Sequence, residues 1–249
     1  FDAQRASMQH RDLQRAISAV LPTVCFAGDP ATPDALFPNN VFGTAAGRTV
    51  IGRMRHPVRQ REAARSDIRG FFADVLDRQE IDLSAQEHPC ELTGALVIDR
   101  ARGLGFCGLS ERCDEVGARL MHEAFGLRAT LLFDLAPGEY HTNVVLAVLA
   151  GRAVVVCPRG FADPAVPTAI AGLYAPHAVV CDDAEHAAFV GNCIALSADT
   201  AWMSANASAA LSAAHREQLA AAGFMVRSVA LDAIEAAGGS LRCCIGEIY

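Results

Sequence analysis

Apolar and polar positions along this chain switch repeatedly between the two-residue beat of strands and the three-and-four spacing of helices. Ala3–Val20 carries apolar residues at helical spacing with arginines opposite, which predicts a helix. Thr23–Ala27 reads as a strand and the Pro/Asp-rich Gly28–Asp34 as a loop. From there a unit recurs: two short strands, an amphipathic helix and often another strand. The first copy is Asn40–Gly43 and Thr49–Arg55 with a helix from Arg59 to Arg78. The second is Thr93–Asp99 and Gly105–Leu109, a helix from Asp114 to Phe125, then Arg128–Phe133. The third is Asn143–Leu149 and Ala153–Pro158, a helix over Pro164–Tyr174, then Ala178–Cys181. The fourth is Phe189–Leu196, a helix from Ala207 to Ala222, then Met225–Ala230, and a strand over Ser240–Ile248 closes the sequence. The leading strands recur at roughly 50-residue intervals, a period that marks propellers and arrays rather than one open sheet. The expected class is therefore α/β, with the last module shared between the two ends of the chain. Residues 1–249 read as a single domain, because no linker divides them. The opening in a helix, with no strands before it, predicts a missing N-terminal segment.

Composition narrows the function classes. Half the residues are apolar (52%) and 20% are charged, as in a folded protein with a large core. A net charge of −7 argues against nucleic acid, whose phosphates need a basic face. No apolar run is long enough for a membrane span, and residues 1–20 lack a signal-peptide core. All 21 basic residues are arginine, so Schiff-base, P-loop and Ser–Lys chemistry are excluded. The nine cysteines are odd in number and include no C-x-x-C pair, against a disulfide framework or zinc ribbon. Reduced thiols and a cytoplasmic location are expected. No His/Asp/Glu cluster has ligand spacing, so neither metal nor cofactor is expected.

Three segments carry candidate chemistry. Gly-Gly-Ser-Leu-Arg-Cys-Cys, 238–244, turns tightly and delivers Cys243 at the start of the last strand, with Cys244 on its opposite face. A thiol there serves as nucleophile if a neighbouring cation or histidine favours the thiolate. Gly-Glu-Tyr-His-Thr-Asn-Val-Val, 138–145, brings His141 into a strand after a turn, with Asn143 on the same face. Cys-Glu-Leu-Thr-Gly, 90–94, places Glu91 just before a buried strand. Singly, each has an ordinary structural explanation: a core cysteine, a satisfied histidine, a strand-end carboxylate. Together they set a Cys, a His and a carboxylate at strand starts in different repeats, and in a ring of repeats those starts converge on the axis.

Six ordered motifs resemble the pentein superfamily of arginine deiminases, dimethylarginine dimethylaminohydrolases and amidinotransferases. They are Phe-Pro-Asn-Asn-Val-Phe, His-Pro-Val-Arg-Gln-Arg-Glu, Glu-Leu-Thr-Gly, Gly-Leu-Ser-Glu-Arg-Cys-Asp, Tyr-His-Thr-Asn and Gly-Gly-Ser-Leu-Arg-Cys. The resemblance implies a five-bladed ββαβ propeller with an axial active site. It makes Cys243 the nucleophile on a guanidino or ureido carbon, His141 the acid and then base, and Glu91 the holder of substrate nitrogens. It assigns Arg112 to the substrate α-carboxylate, with Arg59 a second candidate and Asn39 and Asn143 further contacts. Where arginine deiminases read His-x-Asp, this chain reads His-Thr-Asn, and the aspartate expected after Pro-Asn falls near Ala45. Each lost carboxylate removes a charge-assisted bond worth roughly 1.5–3 kcal/mol to a cationic guanidinium. A neutral ureido group needs no such anion, so the branch most resembled is that of citrulline hydrolysis, to ornithine, ammonia and carbon dioxide. A guanidino hydrolase, an amidinotransferase and a non-catalytic amino-acid-binding propeller are the alternatives. Leu92 also departs from the family's Glu-Gly-Thr-Gly, standing where a glycine is usual. The expected partner is a small amino acid, and a homodimer is compatible with this reading.

Overall fold

The structure is a computed structural model and describes residues 2–249. Four three-stranded sheets follow one another in the chain: β1 Phe42–Ala45, β2 Arg48–Ile51, β3 Gln79–Asp82; β4 Leu96–Asp99, β5 Leu104–Leu109, β6 Ala129–Asp134; β7 Leu146–Leu149, β8 Ala153–Val156, β9 Ala178–Val180; and β10 Ile194–Ala195, β11 Thr200–Ser204, β12 Met225–Val229. In each, the first two strands pair antiparallel and the second and third pair parallel across a helical connection. This is the ββαβ unit expected from the periodicity, four times over. A tight hairpin permits the first pairing, whereas the parallel one needs a crossover.

The chain divides into two compact units: one holds residues up to Cys25 with Asn143–Arg242, the other Phe26–Thr142 with Cys243–Tyr249. In the first unit the helix Ala3–Ser18 starts at an Asp2 cap whose side chain accepts the Arg5 N–H. It buries Ala6, Gln9, Leu13 and Ile17, and Gln9 both donates to Asp232 and accepts the Ala233 N–H. In the second unit, Cys90, Leu92, Ala95, Leu96, Met121 and Phe125 belong to one apolar core, and Val41, Ile51, Met54 and Phe72 to another. Residues 243–249 return to this unit: Thr44 Oγ1 donates to the Glu247 carbonyl and accepts the Tyr249 N–H, and the Arg100 guanidinium lies 3.9 Å from the centre of the Tyr249 ring. No helix is long and apolar enough to cross a membrane among the described residues.

Several expected elements differ. The leading strands start later than their apolar runs, each behind a turn of helix: Pro38–Asn40 before β1, Leu92–Ala95 before β4 and Thr142–Val145 before β7. His141 and Asn143 therefore do not share a strand face. The fourth leading strand shrinks to Ile194–Ala195, and residues 23–27 form no strand. The helix expected from Arg59 to Arg78 breaks into Pro57–Ala63, Ser66–Gly70 and a wider turn over Phe71–Val75, and the 207–222 helix breaks at Leu211–Ser212. Ser240–Ile248 is not a strand: Cys243 sits in a 3₁₀ turn, Arg242–Cys244, with Cys243 buried and Cys244 half-buried.

Candidate active site

Glu91 lies between two buried core residues, Cys90 and Leu92, so its backbone is fixed from both sides and its carboxylate is fully enclosed. Leu92 holds the turn at φ +26°, a backbone region that favours glycine. The carboxylate meets only donors. His141 Nε2 lies 2.8 Å from Oε2, the Arg55 N–H donates to Oε1 at 3.0 Å, and Arg112 Nη1 stands 3.4 Å from each oxygen. Burial alone would raise its pKa, but the bond and charge of His141, the Arg112 charge and the Arg55 N–H outweigh it and hold the group at about 2. Glu91 is therefore an anion at any physiological pH.

His141 is almost as enclosed, 2% exposed. Burial pushes its imidazole below the ordinary value, with Glu91 pulling the other way. Burial thus favours the neutral form of the ring, and in it Nε2, which faces the Glu91 anion, carries the hydrogen. Nδ1, the remaining nitrogen, is buried without a hydrogen-bond partner among the described residues. A neutral imidazole with one nitrogen anchored on a carboxylate and the other unprotonated is a proton acceptor in wait.

Around this pair the second unit gathers most of the sequence-predicted residues. Tyr140 packs on the His141 ring at 4.9 Å between centres and within 5.8 Å of Arg112. Burial raises the Tyr140 phenol pKa, and the negative charge of a Cys243 thiolate would add to the rise. Asn39 is completely buried, and neither its Nδ2 nor its Oδ1 has a hydrogen-bond partner among the described residues. The Asn40 Oδ1 is likewise buried and unpaired. A Cβ at Gly94 would stand 2.9 Å from His141 Cε1, so only glycine lets this turn lie against the ring.

Arg112 keeps 19% of its side chain exposed, with Nε on Glu111 at 3.0 Å. Arg59 is placed differently. Its guanidinium is buried, bound through Nε and Nη2 to the two oxygens of Glu62 at 2.9 and 2.8 Å, and to the carbonyls of Asp34 and Phe37. It braces the 34–37 loop that leads to Asn39. Asn143 belongs to the first unit, buried in its helical turn with its carbonyl accepting Asn192 Nδ2 at 2.7 Å. Elsewhere, burial pushes Cys90 up to about 11 and Cys193 up to about 12, so neither supplies thiolate near neutral pH. Sequence reasoning missed three contributors: the Arg55 N–H, Ser110 and Thr142. The two hydroxyls stand inside quoted motifs, Leu-Ser-Glu-Arg and Tyr-His-Thr-Asn, so a signal was present; a backbone donor leaves none.

Over residues 2–249 the sequence matches the family described as N,N dimethylarginine dimethylhydrolase, eukaryotic. The chain belongs to this family. It is accordingly an enzyme, a hydrolase of the guanidino-modifying type, within the pentein superfamily. No curated protein sequence matches it significantly. Among solved structures it is similar to the N-terminal domain of ArgZ, an arginine dihydrolase from Cyanobacteria, bound to substrate: TM-score 0.84, 21% identity, covering 97% of this chain and 85% of that one. Unliganded AgrE gives a TM-score of 0.85 at 20% identity, covering 98% of this chain and 35% of that one. A dimethylarginine dimethylaminohydrolase variant, as its adduct with S-methyl-L-thiocitrulline, gives 0.75 at 18% identity, covering 98% and 88%. These likenesses give this chain the pentein fold that its motifs implied.

Proposed function

We propose that this family member hydrolyses the ureido group of citrulline or a close relative, yielding ornithine, ammonia and carbon dioxide. The observation that carries this reading is Asn39, a wholly buried amide whose two polar atoms have no hydrogen-bond partner among the described residues. A carboxylate can only accept hydrogen bonds; an amide also donates, and so suits a group presenting N–H and C=O together. The buried Glu91 anion is already engaged by His141, Arg112 and the Arg55 N–H, which leaves little negative charge for a cationic guanidinium. In sequence, Asn143 and Ala45 stand where arginine deiminases carry carboxylates.

In the proposed reaction Cys243 gives its proton to His141 Nδ1 and attacks the ureido carbon. The imidazolium, stabilised by Glu91, protonates the departing ammonia. Water, deprotonated by His141, then cleaves the S-carbamoyl intermediate to release the thiol and a carbamic acid, which loses carbon dioxide to leave the amine. Arg112 is assigned the substrate carboxylate, for which a planar guanidinium is suited. Arg59, bound to Glu62, acts by holding the loop before Asn39, and Asn143 is retained as a further substrate contact.

The second reading is dimethylarginine hydrolysis to citrulline and dimethylamine, favoured by the family description. A dimethylated guanidinium nitrogen has no N–H to donate and also tolerates fewer anions. Ammonia and dimethylamine release from citrulline, arginine and dimethylarginine, each beside Cys243→Ala, decides between them. Cysteine-dependent ammonia from citrulline supports the ureido reading; dimethylamine from dimethylarginine without turnover of citrulline replaces it with the second.

A further inference from the structure

The geometry points to Thr142 as a positioning residue, whose hydroxyl holds the three chain segments that deliver Glu91, His141 and Arg112 in register. Thr142 is wholly buried. Its Oγ1 donates to the Ala95 carbonyl at 2.5 Å and accepts the Gly108 N–H at 2.8 Å. Ala95 closes the single helical turn that begins at Glu91, its own N–H donating to the Glu91 carbonyl at 3.2 Å. From Glu91 the path runs through this turn to Ala95, across to Thr142, along one peptide bond to His141, and from Nε2 back to the Glu91 carboxylate. This closed ring of covalent and hydrogen bonds fixes the 2.8 Å contact of the acid–base pair. Gly108 extends the brace to a third segment. It is the penultimate residue of β5, and two residues on, Ser110 Oγ donates to the Tyr140 carbonyl and accepts the Arg112 N–H. One hydroxyl thus binds the residue before His141, and the other belongs to the residue after it. The approach at Gly108 is close: a Cβ there would stand 2.7 Å from Thr142 Oγ1.

A buried threonine that only filled space would tolerate valine, which has the same shape and no hydroxyl. This inference rests on the proposed roles of His141 and Glu91, so its test includes a signal that needs no substrate. Thr142→Val, Thr142→Ser and Gly108→Ala are compared with the wild type by steady-state kinetics across pH and by NMR of ¹⁵N-histidine-labelled, unliganded protein. Misplacement of a catalytic group costs about 10²-fold, so kcat of Thr142→Val falls by that order with KM nearly unchanged. Its acidic limb moves to lower pH, because His141 loses part of the Glu91 charge that raises its pKa. Thr142→Ser restores the rate, and Gly108→Ala, which displaces the hydroxyl, shifts the His141 Nε2–H resonance in the same sense as valine. A folded Thr142→Val with wild-type kcat and pH limb overturns the inference, as does equal impairment of the Ser and Val variants. If Thr142→Val fails to fold, the Ser and Ala variants decide alone: an unmoved His141 resonance in Gly108→Ala overturns the assignment. If no ureido or guanidino substrate is turned over, the proposed function fails while the resonance still reports on Thr142.

Discussion

Replacing Glu91 with glutamine keeps the side chain's shape and removes its charge, and the structure sets the size of the effect. The wild-type carboxylate faces donors only: His141, Arg112 and the Arg55 N–H. Glutamine has one acceptor oxygen, so its NH₂ must point at a donor, and His141 loses the anion that selects its tautomer. The folded carboxylate is held at about 2 against an ordinary 4.5, a depression corresponding to about 3 kcal/mol. Glu91 is completely buried, so solvent screening does not reduce this figure. The sign follows from the depressed value: the stabilisation is fully present above pH 4.5 and is lost as pH falls toward 2. Glu91→Gln should therefore unfold about 3 kcal/mol more readily than wild type in urea at pH 7. The difference should narrow on acidification through that window. Catalysis should suffer more: loss of the orienting carboxylate in a serine-protease triad costs about 10⁴-fold, and 10²–10⁴ is the expected range here. The assay is ammonia or amine release per folded molecule, from whichever substrate the wild type turns over. A variant with the wild-type rate, or one that loses stability with acid as steeply as wild type, would refute the argument.

Other outcomes follow from single contacts. Cys243→Ala should release no product whereas Cys244→Ala should retain turnover, which a product assay on the two variants checks. Asn39→Leu removes two unpaired buried polar atoms without leaving a cavity, so thermal melting should not fall, while KM rises about 10-fold for one lost neutral hydrogen bond; a lowered melting temperature with unchanged KM would show the amide satisfied within the fold. Leu92→Ala and Leu92→Gly each lose about 2–5 kcal/mol of core packing, but glycine relieves the positive φ and should be about 1 kcal/mol the more stable in urea. The reverse order would dismiss strain at this turn.

The repeat was legible because each hairpin and crossover leaves its own period in the sequence. The starts of the leading strands were not, for a definite reason. Leu92, Thr93, Gly94, Ala95 and Leu96 are all buried, and an unbroken buried run carries no alternation to separate a helical turn from a strand. The same ambiguity turned the 3₁₀ turn at Cys243 into an expected strand. The chemistry-bearing residues were legible as motifs, and in the second unit His141 and Arg112 both meet the Glu91 carboxylate. Which charges are already spent was not legible: Arg59 sits in a sequence that suits a ligand-binding arginine, yet Glu62, three residues on, occupies it. Nor could spacing reveal that Thr142 reaches Ala95 and Gly108, since those partners follow only from the folded strands.

The return of residues 243–249 to the second unit has a consequence for how this enzyme is switched off by heat. The polypeptide between Asn143 and Arg242 is folded into the other unit, so residues 243–249 rejoin the second unit only after a structured insert of the chain. If that insert melts, closing the loop it forms becomes an entropic burden on a flexible chain, carried by few anchors: Thr44 on the Glu247 and Tyr249 backbone and Arg100 on the Tyr249 ring. The thiol would then detach while the Glu91–His141 pair stayed assembled. Turnover is thus a logical AND over both units, and inactivation should track the first unit to unfold even when the other remains protected from hydrogen exchange.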